Sequence, residues 1–263
     1  MNGVIDLTAF QVALAYIFVL LVLVIMRILG IKRENELIIA SVRMTLQLIL
    51  VGYLLVYIFD NPNPFITGGI ILVMEAFAVH TVFKKFKGRL SLPFKKVIAF
   101  SMSLGTLSCL VYFLLVVIQI SPWYEPQYFI PIAGMLIGNS MTGISLGVKL
   151  LLEGMITQRA LVEEALILGA TSQTATKNII NSTFDAAIMP TMNSMVGMGI
   201  VFLPGMMTGQ ILSGTDPTTA IAYQIAIMLG ILGAVALTVI IMLQLGYRTF
   251  FNKDEQLLIS DFK

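Results

Sequence analysis

Charge is scarce in this chain. Asp, Glu, Lys and Arg make up 11% of its 263 residues, where a soluble domain carries about a quarter. That shortage excludes an ordinary soluble fold. Cysteine is scarcer still: Cys109 stands alone. A single thiol excludes an intrachain disulfide framework and every CxxC metal or redox motif. Histidine occurs once, as His80. No G-x-x-x-x-G-K-[ST] is present, so the chain cannot cradle nucleotide phosphates in a P-loop. HExxH and GxSxG are absent too, and no spacing of base and nucleophile supports catalysis. The chain is therefore not expected to be an enzyme. Low-complexity tracts and interdomain linkers are also missing.

What the chain has in quantity is apolar surface. Residues of hydrophobic type make up 58% and the mean hydropathy is +0.94. This predicts an all-α, polytopic membrane protein. A span needs roughly 20 mostly apolar residues, and seven runs meet that need: Leu7–Leu29, Leu37–Phe59, Phe65–Phe83, Val97–Ile120, Phe129–Leu152, Ala187–Leu212 and Thr219–Gly246. The first run has no basic stretch before it, only Asp6, and reads as a span rather than a cleaved signal. Residues 1–246 form one transmembrane domain, and 247–263 a short tail.

The connectors sort by charge. Asp60–Pro64, Ser121–Tyr128 and Ser213–Thr218 contain no Lys or Arg. Lys32 and Arg33 lie in the first connector; Lys84, Lys85, Lys87, Arg89, Lys95 and Lys96 crowd the third. Arg159 and Lys177 lie in the fifth, and Arg248, Lys253 and Lys263 in the tail. The positive-inside rule puts these basic segments in the cytoplasm, with the N-terminus outside and the C-terminus inside. Trp123, Tyr124 and Tyr128 suit an outer interfacial belt.

The fifth connector, about 153–186, is the longest polar interval. Within it Val162, Ala165, Leu166 and Gly169 recur at i, i+3, i+4, i+7, and Ala175 and Ile179 are four apart. That is the period of an amphipathic helix on a surface. Two readings stand: an interfacial helix, or a coupling helix gripped by a motor domain. Glycines form three small-xxx-small matches: Gly134/Gly138, Gly143/Gly147 and Gly205/Gly209. Such spacing lets helix backbones approach closely. Pro204 should kink or break its span, and broken helices at membrane depth often mark transport paths. Met189, Met192, Met195 and Met198 are spaced by three. On a helix each such step drifts by about 60°, so these four cannot form one metal ladder and read as packing.

Polar residues inside spans are costly and are functional hypotheses. Here they are Glu75, His80, Asn139, Asn193 and Gln210. Glu75 and His80 are weak metal candidates on different sides of one helix. Arg43 is a possible ion-pair partner for Glu75.

Three blocks taken together resemble a known family. They are Ile130-Pro-Ile-Ala-Gly-Met135 with Gly138-Asn139; Glu164-Ala-Leu-Ile-Leu-Gly-Ala-Thr171; and Leu203-Pro-Gly-Met-Met-Thr-Gly-Gln-Ile211 with Asp216-Pro217 and Tyr223-Gln224. The chain resembles the FetB-type permease family of ABC transporters, whose bacterial members are associated with iron export and plant relatives with aluminium tolerance. The resemblance implies a permease in a bacterial plasma membrane. It would work as a homodimer with a separate cytoplasmic ATPase that carries the ATP and Mg. No cofactor is expected in this chain, and no nucleic acid as partner. Glu164, Leu168, Gly169 and Ala170, with Glu163 and Ala165 beside them, match a loop that looks like the EAA-type ATPase contact of importers. Where many relatives carry a basic residue ahead of the proline of span six, this chain has Asp185. The expected cargo is iron or another metal ion. Alternatives are an organic or nucleotide-sugar cargo, or a scaffold or sensor without transport.

Overall fold

The computed structural model describes residues 6–258. Lys263 and the first five residues of the transmembrane domain lie outside the described residues. The chain is helical throughout: α1 (Ala9–Ala15), α2 (Ile17–Ile28), α3 (Glu34–Asp60), α4 (Pro64–Lys85), α5 (Leu92–Tyr112, continued by a π-helical turn Phe113–Ile118), α6 (Pro126–Thr157), α7 (Arg159–Ile167), α8 (Ser172–Gly197), α9 (Gly205–Leu212) and α10 (Pro217–Gly246, ending in a 3-10 turn Tyr247–Phe250). Among the described residues extended pairing is limited to two isolated bridges, Met198 with Phe202 and Phe251 with Leu257.

Among the described residues, six stretches are long and apolar enough to cross a membrane: Ala9–Ile28, Glu34–Asp60, Pro64–Lys85, Leu92–Ile118, Pro126–Thr157 and Pro217–Phe250. The expected run Ala187–Leu212 is different. Its helix starts far earlier, at Ser172, and stops at Gly197. The chain then turns through Met198–Leu203 before α9 begins. Pro204 does not interrupt a helix here: it is the N-cap of α9, a place where its missing N–H costs nothing. The break belongs to Gly199, whose φ of +83° is a conformation that glycine adopts freely. Pro190, by contrast, sits inside α8 without ending it.

Local chemistry opens most helices. Asn63, Ser91 and Thr171 accept amide hydrogen bonds at the starts of α4, α5 and α8, satisfying donors that a helix leaves open. Asp216 caps α10. The Thr218 hydroxyl and the Thr219 and Thr218 amides hold its carboxyl below the usual carboxylate range.

α10 is the centre of the bundle, with α5, α6, α8 and α9 packed around it. Glycine sets these contacts. A Cβ on Gly105 would stand 2.4 Å from Thr238 Cγ2 and 2.9 Å from its Cα, so α5 meets α10 backbone to backbone. Gly143 and Gly147 bring α6 onto Val235 and Met242, at 2.7 and 2.8 Å from the same imagined atom. Gly154 does the same against Ile179 of α8 at 2.6 Å. Of the three small-xxx-small pairs, then, only Gly143/Gly147 makes a tight seam. Gly134 meets only the flexible end of Met74 at 3.3 Å, and Gly138, Gly205 and Gly209 meet open space. A spacing pattern shows which helix face carries small residues; it does not show which face a neighbour occupies.

α1–α3 lie at the periphery and bury almost nothing, as apolar helices solvated by lipid tails would. The break at Tyr16 turns its hydroxyl to Thr45 and the Ser41 carbonyl of α3.

The tail folds back on the bundle. Phe250 is buried and stacks edge-on to Phe94 at 5.5 Å. Glu255 then reaches the start of α8, accepting from the Ser172 amide at 2.8 Å. A carboxylate there complements the helix dipole. Glu255→Ala should raise hydrogen exchange in the first turn of α8 without reducing membrane insertion. Unchanged protection of Ser172–Thr174 would show that the tail does not anchor that turn.

Candidate functional site

α6, α8 and α10 separate on one side of the tight Gly143–Gly147 seam. Between them lies a cleft of about 300 Å³. α6 contributes Met135, Asn139 and Thr142; α8 contributes Pro190, Thr191 and Ser194; α10 contributes Gln224 and Met228. The α8–α9 turn closes it with Met198, Pro204, Gly205 and Met206. The helix break is what lets the chain enter here: a continuous helix could not place Met198 and Met206 on one cavity.

The polar groups of the cleft are held unevenly. Asn139 Nδ2 donates to the Met135 carbonyl at 2.8 Å, which ties down one end of that carboxamide. Ser194 donates to the Pro190 carbonyl at 3.0 Å. Gln224 is only 7% exposed. Its Nε2 is directed at the Met198 sulfur, 3.8 Å away, while its Oε1 is buried and accepts no hydrogen bond. Leaving such an acceptor unpaired costs about 1–3 kcal/mol. Thr142 and Thr191 add hydroxyls, that of Thr142 donating to the Gly138 carbonyl at 3.1 Å, and Met135, Met198, Met206 and Met228 add four thioethers. Among the described residues no His, Cys, Asp or Glu lines the cleft.

The residues singled out from sequence are thus only partly assembled. Asn139, Pro204 and Gly205 border the cleft. Asn193 is exposed on α8 beside Ser194. Gln210 lies on α9 with its own Oε1 buried and unpaired, outside the cleft lining. Glu75 is elsewhere, buried between α4 and α5, with Thr106 donating to Oε2 at 3.1 Å and Ser103 beside the same carboxyl. Arg43 does not reach it. Its guanidinium stacks over Phe77, 5.3 Å from the ring centroid, in a groove with Glu36, Gln47 and Lys84. His80 is exposed on α4, and among the described residues no three His, Cys, Asp or Glu side chains gather around a possible metal. Gln224 enters the sequence analysis only through the family block, although a carboxamide within the apolar run Thr219–Gly246 is the same signal that marks Asn139. Met135, Met206 and Met228 carried no such signal.

The second candidate surface is at the far end of α6. The expected long amphipathic helix is two helices, because the chain reverses at Gly169, φ +87°. The Ala170 amide bonds to the Ala165 carbonyl at 2.9 Å and the Gly169 amide to Leu166 at 3.0 Å, which is a Schellman motif. The irregular part of the interval 153–186 shrinks to 168–171. α7 buries Val162 and packs Leu166 on the core. Arg159 and Glu163 pair at 2.7 Å on its outer side, and Glu164 is exposed. Ile167 and Leu168 project outward, 84% and 87% exposed.

Both surfaces belong to a chain with relatives along nearly its whole length. It is 33% identical over 259 residues to the protein of Escherichia coli named probable iron export permease protein FetB, covering 98% of each chain. It is 34% identical to the membrane protein YjkA of Bacillus subtilis, over 94% of this chain and 97% of that one. It is 35% identical to the Arabidopsis thaliana protein ALUMINUM SENSITIVE 3, over 93% and 88%. No solved structure matches. Residues 9–251 match the family described as Uncharacterised protein family (UPF0014), and the chain belongs to that family of membrane proteins.

Proposed function

We propose that this chain is the membrane-spanning subunit of an ATP-driven metal exporter, with iron as its cargo by analogy with the relative named for iron export. Two copies face each other, and a separate cytoplasmic ATPase supplies ATP and Mg. The reading places the N-terminus outside, the C-terminus inside and seven crossings in a bacterial plasma membrane, the broken α8–α9 unit being the sixth.

The polar face of α6 and α8 carries this reading. Asn139, Thr142, Lys149 and Glu153 are exposed along α6, and Asn181, Asp185 and Asn193 along α8. Lipid tails cannot solvate such a face, which calls for a partner or a water-filled path. A second copy in two-fold register supplies both. Gly147 lies near Ala187 and Gly154 near Ile179, so Asp185 stands close to the level of Lys149. A face bearing both signs at one level suits a self-complementary contact. The cleft sits beside this face, above the closed Gly143–Gly147 seam. Movement of α7 by a motor would reach it through α6 and α8, the two helices that α7 joins.

The test is reconstitution of the chain with the ATPase of its own organism in vesicles loaded with an Fe(II) indicator, alongside disulfide trapping of Asn139→Cys in a Cys109→Ser background. ATP-dependent Fe(II) movement and a cross-linked pair are expected. Vesicles whose Fe(II) movement is indifferent to ATP and to the ATPase would sink the reading.

A further inference from the structure

We propose that the α6–α8–α10 cleft is a binding site for a soft, singly charged metal cation, of which Cu(I) and Ag(I) are the representatives. The ligands are the thioether sulfurs of Met135, Met198, Met206 and Met228 and the Oε1 of Gln224. This goes beyond the iron-export reading, because the cleft it describes matches a soft monovalent ion rather than Fe(II), and it rests on the permease reading only for the site's role in export.

Three observations converge. The four methionines come from four separate segments, α6, the α8–α9 turn, α9 and α10, and meet at one cleft. They are not the three-spaced series of α8: of that series only Met198 lines the cleft, while Met189 and Met192 are exposed. Next, Gln224 is more than nine-tenths buried, stands against the Met198 sulfur at 3.8 Å, and offers a carbonyl oxygen with no donor. A cation among the sulfurs would be the partner that oxygen lacks. Last, the lining carries no anionic or imidazole ligand. Neutral thioethers do not strip water from hard ions such as Mg(II) or Al(III), but they match soft ions. A neutral site also favours one charge over two or three, because nothing in it offsets the extra dehydration. Met228 is a buried core residue, and Met135, Met198 and Met206 pack against the core while remaining half-buried at the edge of the cleft.

The test is equilibrium dialysis of the purified full chain in detergent against Ag(I), which needs no reductant, with Mg(II) and Al(III) in parallel, all in a Cys109→Ser background so that the free thiol outside the cleft does not itself take up Ag(I). One Ag(I) per chain is expected to bind, with no detectable Mg(II) or Al(III). Met198→Leu/Met228→Leu, close in volume to the native pair, should weaken Ag(I) binding at least tenfold, and Gln224→Leu should weaken it by a smaller factor. Met189→Leu/Met192→Leu, outside the cleft, should leave it unchanged. The site proposal is overturned if Ag(I) binds no better than Mg(II), or if both double variants lose binding equally. ATP-driven Fe(II) export without cleft-dependent Ag(I) binding would overturn the site and leave the permease. Cleft-dependent Ag(I) binding without ATP-driven flux would do the reverse.

Discussion

Gly105→Val should strongly destabilise the bundle. The added Cβ would stand 2.4 Å from Thr238 Cγ2 and 2.9 Å from the Thr238 backbone. A side chain can rotate away from such a contact; a backbone atom in the middle of α10 cannot. Separating α5 from α10 would also expose Ile98, Met102 and Leu110 of α5 and Ala234, Val235 and Val239 of α10, all fully or almost fully buried in one core. Overpacking a core costs about 1–3 kcal/mol when side chains can yield, so about 3 kcal/mol or more is expected here. Denaturant titration in detergent measures it, with Gly138→Ala as comparison. A Cβ on Gly138 meets nothing within 4 Å, and alanine favours the helix by about 0.5–1 kcal/mol. The comparison variant should therefore keep or gain stability. Equal stability of Gly105→Val and native protein would mean that α5 and α10 do not approach as described.

Leu168→Asp, alone or with Ile167→Asp, should weaken docking of the proposed ATPase while leaving the fold intact. Both side chains project from the α7 turn and bury almost nothing within this chain. Aspartate there removes no internal packing, so thermal stability should stay within experimental error of the native protein. A docked apolar residue at the centre of an interface carries about 2 kcal/mol or more, roughly a 30-fold change in affinity. Capture of the ATPase by the immobilised chain should fall by that factor. Val162→Asp makes the opposite comparison: Val162 is 1% exposed, so that variant should lose stability first and capture as a consequence. Undiminished capture by Leu168→Asp would assign the α7 tip to the lipid headgroups rather than to a partner.

Much of this architecture was readable from local rules. The apolar runs and the basic connectors each depend on a few neighbouring residues and their solvent. The aromatic residues expected at one interface do gather at one end: Trp123 lies 5.7 Å from Tyr124, and Tyr128 stacks near Tyr223 at 6.5 Å. Two expectations failed where sequence distance misleads. Pro204 is a strong breaker in composition, yet the helix had already ended at Gly197, because Gly199 could turn freely. Arg43 and Glu75 are complementary in charge and depth, but Arg43 found the Phe77 ring and Glu75 the Thr106 hydroxyl.

The sequence by itself determined that the chain is a helical membrane protein and where most of its apolar spans fall. These follow from transfer free energy and backbone preference, which act over a few residues at a time. Only the tertiary structure decided which glycines seal the bundle, and that four methionines from four segments share one cleft with Gln224. Those outcomes depend on the register between helices, and register is set by the summed packing of many distant side chains, of which no short stretch holds a record.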